Sequence, residues 1–206
     1  MTELYELATL AFPLLAASEV ADAARAWISG PGAGGNLLGL WRTEIGPLGR
    51  MLILRSFDDA TTLAQERQRA LLSANPFNAG RLLTALDIDS YRRFPFLPPA
   101  QPDARSTVFE FRTYRLKPGG LPPTLAGWEA AIGPARDYTR HLLVNMYALD
   151  GPLRITHIWG FDSLEQRASL RGAAYGSGVW PPKGGPDNIL DAISIIALPE
   201  RDPARQ

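Results

Sequence analysis

One of the two histidines in the chain, His157, lies in the alternating stretch RITHIWGF at residues 154–161. Imidazole is the side chain best suited to acid–base work near neutral pH. Alternate side chains of a strand share one face, so His157 lies on the same face as Trp159. A catalytic histidine also needs a group that orients its ring and groups that stabilise negative charge.

Neighbouring predicted strands supply candidates for these roles. We predict His157 as the general base or acid, with Glu110 or Asn145 orienting its ring. Arg112 and Tyr147 would stabilise developing negative charge, as on an enolate or phenolate. Substrate-binding residues are predicted on the matching strand faces and in a Gly/Pro-rich loop: Asn145, Trp159, Tyr114, Trp41, Arg55 and Trp180. The set suits an apolar or aromatic metabolite.

The same residues also have structural interpretations. A lone histidine between isoleucine and tryptophan is typical of a core residue with one polar neighbour. Glu110 and Arg112 lie two residues apart and would neutralise each other. Trp159 and Tyr147 suit packing as well as a substrate platform. The loop GSGVWPPKGGPDN, residues 176–188, is an ordinary long connection unless Trp180 covers one end of a cavity.

The predicted hairpin around Gly151 gives a register in which Tyr147 lies opposite Ile155 and Asn145 lies opposite His157. His141, four residues from Asn145, is then about 13 Å away along the strand. The two histidines therefore do not share a metal ion, and the sequence contains no recognised ligand spacing. We predict no metal site.

Composition limits the partners. Lys plus Arg and Asp plus Glu are both 21 in 206 residues, so the strong field that favours nucleic acid or an anionic membrane is missing. There is no cysteine, which excludes disulfides and thiolate chemistry. Only Lys117 and Lys183 are lysines, a bias typical of GC-rich bacterial genes. The apolar stretch LATLAFPLLAAS follows two glutamates, so we expect a folded cytoplasmic protein without a signal peptide or membrane span.

The chain aligns with itself at an offset of about half its length. LYELATL at residues 4–10 matches VFEFRTY at 108–114, and SFDDATTLAQ matches GFDSLEQRAS. A proline-rich stretch between the copies is typical of a linker. The predicted organisation has four parts, namely a first repeat, a linker, a second repeat and a tail: 1–97, 98–106, 107–199 and 200–206.

Each half has the order strand, helix, strand, turn, strand, helix and a last apolar run. Leu125, Trp128 and Ile132 form an apolar stripe on the first helix of the second half. Asp162 and Ser163 are natural caps for its second helix. This order predicts an α+β fold of two ferredoxin-like βαββα(β) repeats.

Three motifs resemble those of the NIPSNAP family of the dimeric α/β-barrel superfamily: FEFRTYRLKPG at 109–119, EIGPLGR at 44–50 and FDSLEQR at 161–167. The resemblance covers nearly the whole chain as two tandem NIPSNAP-like domains. It implies that the two repeats pack sheet to sheet as a dimeric-α/β-barrel-type fold with an internal cavity. The superfamily contains cofactor-free monooxygenases, haem-binding enzymes, isomerases, dehydratases and cyclases.

The resulting hypothesis is that the protein is a small-molecule-binding barrel. It would be a bacterial enzyme that uses acid–base chemistry on its ligand without a tightly bound organic cofactor. Candidate activities are those of a cofactor-independent monooxygenase, isomerase, cyclase or lyase. One alternative is a haem enzyme with His157 as axial ligand. Another is a non-catalytic interaction protein. Either a monomer with an internal pseudo-dimer or a homo-oligomer fits the repeats. The polar face that contains His157 is expected to line the cavity between the halves, and the apolar face to meet the helices.

Overall fold

The structure, a computed structural model, describes residues 4–201, and the rest of the predicted tail lies outside them. Within this part the chain divides into two compact units, residues 4–92 with 197–201 and residues 93–196. None of the helices in residues 4–201 has the length and hydropathy needed to cross a membrane.

The first unit has the predicted element order. Its antiparallel sheet has the strand order β4-β1-β3-β2. Met51 and Ile53 of the third strand pack with Val20 and Ala24 of the first helix. The second helix begins after Asp59, whose side chain accepts a hydrogen bond from the Thr62 amide. The elements are β1 (Leu4–Ala11), α1 (Ala17–Ile28), β2 (Asn36–Ile45), β3 (Arg50–Phe57), α2 (Ala60–Leu72) and β4 (Ala85–Arg93).

The second unit repeats this strand order, as β8-β5-β7-β6. Ser163 caps its last helix by accepting from the Gln166 amide, as predicted. A short helix that the sequence pattern did not predict, α4, carries Tyr138. The elements are β5 (Val108–Leu116), α3 (Leu121–Ile132), α4 (Arg136–Thr139), β6 (Leu142–Ala148), β7 (Arg154–Phe161), α5 (Leu164–Gly176) and β8 (Ile189–Pro199).

The predicted β6–β7 register is confirmed. Asn145 lies opposite His157, and Tyr147 opposite Ile155. The turn between these strands contains Gly151 at φ 63°, a left-handed conformation that glycine adopts without a steric cost. On the other side of β7, Arg112 of β5 pairs with His157. Three neighbouring strands therefore bring Arg112, His157 and Asn145 into one row.

The side of the sheet that faces the helices was predicted wrongly. The His157 ring lies 5.0 Å from the ring of Trp128 on α3, and Glu110 is bonded to Arg167 on α5, so the polar face meets the helices. The opposite face is also buried and contains Phe109 and Ile158, which are both fully inaccessible. Since both faces are buried, polarity along the strands does not distinguish them.

In the first unit, a β-bulge changes the predicted face of one residue. The register of β2 against β3 shifts between Leu37 and Gly39, which places Trp41 opposite Leu52. Trp41 therefore lies on the other sheet face from Arg55, although strict alternation had grouped them. A Cβ at Gly39 would lie 2.1 Å from the Trp41 ring, so the missing side chain gives the indole room to lie over the strand.

Candidate functional site

The second unit contains a cavity of about 260 Å³ among β5, β7, α3, α5 and the loop before β8. This volume is slightly below the usual range for ligand sites, about 300–1,000 Å³, so only a small ligand would fit. The walls are mostly aromatic and apolar: Tyr114, Trp128, Tyr175, Trp180, Ile155, Ile189 and four residues of the loop, of which three are prolines. Two more lining residues, His157 and Thr124, are polar and buried. The cavity is suited to a small, flat, apolar molecule.

The position of the proton on His157 follows from its neighbour. The indole nitrogen of Trp159 lies 2.6 Å from Nδ1 of His157. An indole N–H donates and never accepts, so Nδ1 must present its lone pair. In the neutral ring, the proton is then on Nε2. This nitrogen is buried and has no hydrogen-bond partner among the described residues.

The surroundings keep this imidazole uncharged. Burial, reinforced by the positive charges of Arg112 and Arg171, holds the pKa of His157 well below its usual value. At neutral pH His157 is therefore a neutral hydrogen-bond donor at Nε2. The predicted role as general base is not supported, because Nε2 has no free lone pair in this tautomer.

The low pKa of His157 predicts acid sensitivity. The unfolded chain binds a proton at His157 below about pH 6.5, whereas the folded protein does not, so stability falls as the pH drops below that value. The expected slope is about 1.4 kcal/mol per pH unit for this one proton. Urea unfolding of the native protein and of His157→Gln, from pH 8 to pH 5, measures it.

The variant should lose this slope and keep the remaining pH dependence. The pKa of the Glu110 carboxyl is also shifted, since burial raises it but hydrogen bonds from Arg167 and Ser194 outweigh burial and lower it overall. Its contribution is therefore present above the ordinary glutamate pKa and lost at lower pH, outside this window. Equal slopes for both proteins between pH 6.5 and pH 5 would contradict the assignment.

A cluster of charged groups lies beside the cavity. Glu110 is fully buried, and one of its oxygens accepts from Arg167 at 2.5 Å and from Ser194 at 2.7 Å. Arg112 and Arg171 each place a nitrogen 3.8 Å from the same oxygen. Glu110 therefore anchors three arginines. The sequence had predicted that it orients the His157 ring, but its hydrogen bonds in the structure come from Arg167 and Ser194.

The loop that closes the cavity is held against helix α3. A Cβ on Gly127 would lie only 2.5 Å from the carbonyl oxygen of Lys183, so the close approach requires glycine there. At the base of the loop, Lys117 donates to the carbonyl of Asp187. Trp180 is 5% exposed, and its ring lies 4.9 Å from that of Trp128. The loop thus forms a wall of the cavity.

The predicted site residues fall into separate groups. His157, Tyr114 and Trp180 line the cavity, and Trp159 lies behind His157. Tyr147 is not among the lining residues, and its ring is 6.5 Å from that of Phe94. Glu110 and Arg112 belong to the charge cluster beside the cavity. The other predicted residues lie in strands away from the cavity lining: Asn145, Trp41 and Arg55.

Asn145 does not orient the imidazole. It is fully buried, and within the described part of the chain neither atom of its amide group has a hydrogen-bond partner. Trp159 takes the predicted orienting role instead, since its N–H is bonded to Nδ1. Backbone pairing with His157 therefore placed the two residues side by side without joining their polar groups.

Several residues of the site were not predicted from the sequence. Thr124 and Tyr175 line the cavity, and Arg167 and Arg171 of α5 join the charge cluster. Trp128 was predicted only as part of an apolar helix stripe. Arg167 and Arg171 lie four residues apart on α5, the spacing of one helix face, so the sequence does contain a signal for this pair.

His157 is not a suitable haem ligand in this arrangement. Iron binds the lone pair of an imidazole nitrogen, and the other nitrogen then normally donates its proton to an acceptor. Here the group next to Nδ1 is itself a donor, Trp159. If Nε2 bound the iron, the proton of His157 would move to Nδ1 and face the N–H of Trp159. The residues present therefore do not fit a haem.

Both the sequence and the fold of this chain are similar to those of known proteins. Residues 109–194 match the NIPSNAP family model. A protein named NipSnap homolog from Dictyostelium discoideum is 26% identical over 73% of this chain and 68% of its own length. A NIPSNAP family protein of unknown function from Agrobacterium tumefaciens C58 is 30% identical, over 49% of this chain and 96% of that one, with a TM-score of 0.42.

The similarity of fold extends over almost the whole chain. The crystal structure of an anthrone oxidase-like protein matches 97% of this chain and 92% of its own, with a TM-score of 0.68 and 12% identity. The fold is therefore the predicted α+β, ferredoxin-like type of the dimeric α/β-barrel proteins. At this identity the match concerns the fold alone.

Proposed function

The chain belongs to the NIPSNAP family, and on this premise we propose that its second unit binds a small, flat, apolar molecule that carries an oxygen acceptor. All the residues that line the cavity fall within the family match, residues 109–194; half of them lie on β5, α3, β7 and α5. The family and the fold together support small-molecule binding. The shape and the lining of the cavity indicate the class of ligand.

The observation that carries the proposal is the Nε2–H group of His157. Nearly all buried polar groups in proteins have a hydrogen-bond partner, and leaving one without a partner costs about 1–3 kcal/mol. His157 is 1% exposed and lines the cavity, yet its Nε2 lacks a partner within residues 4–201. A carbonyl or phenolate oxygen of a ligand would satisfy this donor.

The rest of the wall supports an aromatic ligand. Trp128 and Trp180 cross nearly at right angles, with ring centroids 4.9 Å apart, and Tyr114 lies edge-on to His157. Such walls favour planar rings through stacking and edge-to-face contacts. Thr124 adds a buried hydroxyl that has no partner in the described part of the chain, so a second polar atom of the ligand has a place to bind.

We propose binding, and not acid–base catalysis, as the role of this cavity. Its lining includes no carboxylate among the described residues, and its histidine is a donor. A neutral imidazole of this kind polarises a carbonyl or stabilises an enolate, as in triosephosphate isomerase, but does not remove a proton. No tightly bound organic cofactor is part of the proposal.

Two probes that differ by one oxygen test this function. Indane and 1-indanone have the same fused rings, and only the ketone has an acceptor. In isothermal titration, we expect the native protein to bind 1-indanone about fivefold more tightly, since a net hydrogen bond contributes about 1 kcal/mol. His157→Phe should bind both probes equally.

The other histidine supplies a matched control. His141 does not line the cavity, and its Nδ1 is bonded to the carbonyl of Gly160. His141→Phe should therefore keep the preference for the ketone. If the native protein binds neither probe at millimolar concentration, or binds them equally well, the proposed function is wrong.

A further inference from the structure

The charge cluster beside the cavity has an excess of positive charge. Arg112, Arg167 and Arg171 surround a single carboxylate, Glu110, with their nitrogens 2.5–3.8 Å from one of its oxygens. Three guanidinium groups against one carboxylate leave two positive charges without a partner inside the cluster. Because Glu110 is fully buried and the arginine side chains are 11–28% exposed, water screens this excess only in part.

Two of these arginines reach the cavity through its tyrosines. Arg112 has its guanidinium carbon 5.2 Å from the ring of Tyr114. Arg171 lies 5.3 Å from the ring of Tyr175 and donates to its hydroxyl at 3.4 Å. Both tyrosines line the cavity, and Tyr175 is 41% exposed, so it marks the open side. Arg112 and Arg171 are not themselves among the lining residues, so the excess charge lies directly behind these two tyrosines.

Positive charge directly behind the wall of an aromatic cavity selects for one ligand class. Arg112 lies opposite His157 in the sheet, and Tyr114 contacts both residues, so the field of this arginine extends to the inner wall. Apolar walls strengthen such a field, and guanidinium groups bind carboxylates with charge-assisted hydrogen bonds. An aromatic cation would be repelled by the arginines, and a neutral aromatic ligand would leave their excess charge unpaired.

We propose that the ligand is an aromatic carboxylate whose rings fill the cavity, with a ring oxygen that accepts from His157, and whose charged group lies beside Tyr114 and Tyr175, on the side of Arg112 and Arg171. This inference rests on the proposed function and specifies its ligand class. Arg171 is the residue that determines the preference for an anion. Arg167 stays bonded to Glu110 and holds the cluster together.

The test compares 2-naphthoate with its neutral methyl ester, which keep the same rings and carbonyl. By isothermal titration, the native protein should bind the carboxylate about tenfold more tightly than the ester, the size expected for a charge-assisted contact. Arg171→Gln should reduce naphthoate affinity about tenfold and leave the ester unchanged. Raising the salt concentration should weaken naphthoate binding alone.

Arg115→Gln serves as the matched control, because Arg115 is 54% exposed on the same strand as Arg112 and pairs with Asp191. It should bind both probes as the native protein does. If the ester binds as tightly as naphthoate and Arg171→Gln changes neither, the inferred charge preference is wrong while the cavity remains a binding site. If neither probe binds and 1-indanone does not bind either, the proposed function itself fails.

Discussion

Replacing Arg55 with methionine should lower the free energy of unfolding by about 3–5 kcal/mol, the usual cost of removing one partner from a buried ion pair. Arg55 is fully buried in the first unit. It donates to Glu6 at 2.6 Å and to Glu66 at 2.6 Å, and both carboxylates are also buried. Without the guanidinium, Glu6 would lose the cation that compensates its burial, whereas Glu66 would keep Arg69.

Urea unfolding followed by tryptophan fluorescence measures the effect. Arg42→Met is the control, because Arg42 pairs with Glu200 and Glu44 with its own side chain 38% exposed. That change should cost less than about 1 kcal/mol.

A second substitution separates charge from packing. If the cost arises from the uncompensated charge on Glu6, the double variant Arg55→Met/Glu6→Gln should be more stable than Arg55→Met alone. A double variant whose loss equals the sum of the two single losses would show that the pair does not act as a unit. An Arg55→Met protein as stable as the native one would contradict the whole account of this cluster.

Trp128→Ala should be the most damaging change in the second unit, at about 3–5 kcal/mol. Trp128 is 3% exposed on α3 and lies against four aromatic side chains of other elements, of which Trp159 is the most distant at 6.2 Å between ring centroids. Its ring centroid is 5.0 Å from that of His157, 4.9 Å from Trp180 and 5.9 Å from Phe94. Removing the indole would enlarge the cavity and withdraw support from the loop, so probe binding should also weaken.

Two comparisons make this prediction specific. Trp128→Phe keeps an aromatic ring and should lose less stability than the alanine variant. Tyr175→Ala removes another ring of the same cavity, but one that is 41% exposed, so thermal and urea unfolding should change little while ligand binding weakens. If Trp128→Ala unfolds at the same urea concentration as Tyr175→Ala, the indole does not stabilise this wall more than the exposed tyrosine does, and the prediction is wrong.

The sequence by itself determined the local features of the protein. The order of strands and helices, the cap at Ser163 and the β6–β7 register follow from periodicity, turn residues and capping groups, all of which act over a few residues. The row that joins Asn145 and His157 was therefore predictable, as was the ferredoxin-like type of the fold.

The tertiary structure decided which side of each sheet meets the helices. Alternation divides a strand into two sets of residues, but both sets are buried here, and composition does not rank them. The bulge in β2 also moved Trp41 to the other face, because one extra residue reverses the alternation beyond it. These outcomes depend on packing between segments that are distant in sequence.

The chemistry of His157 was likewise decided by contacts in three dimensions. Its residue type suggested a base, but the N–H of Trp159 at Nδ1 fixes the proton on Nε2, and the nearby arginines help keep the ring neutral. The cavity itself requires the loop around Trp180 to dock on α3, which Gly127 permits. Spacing within the strand placed Trp159 on the face of His157 but did not show that its N–H donates to Nδ1. Trp128, Arg171 and the loop around Trp180 come from segments distant in sequence, whose positions only folding determines.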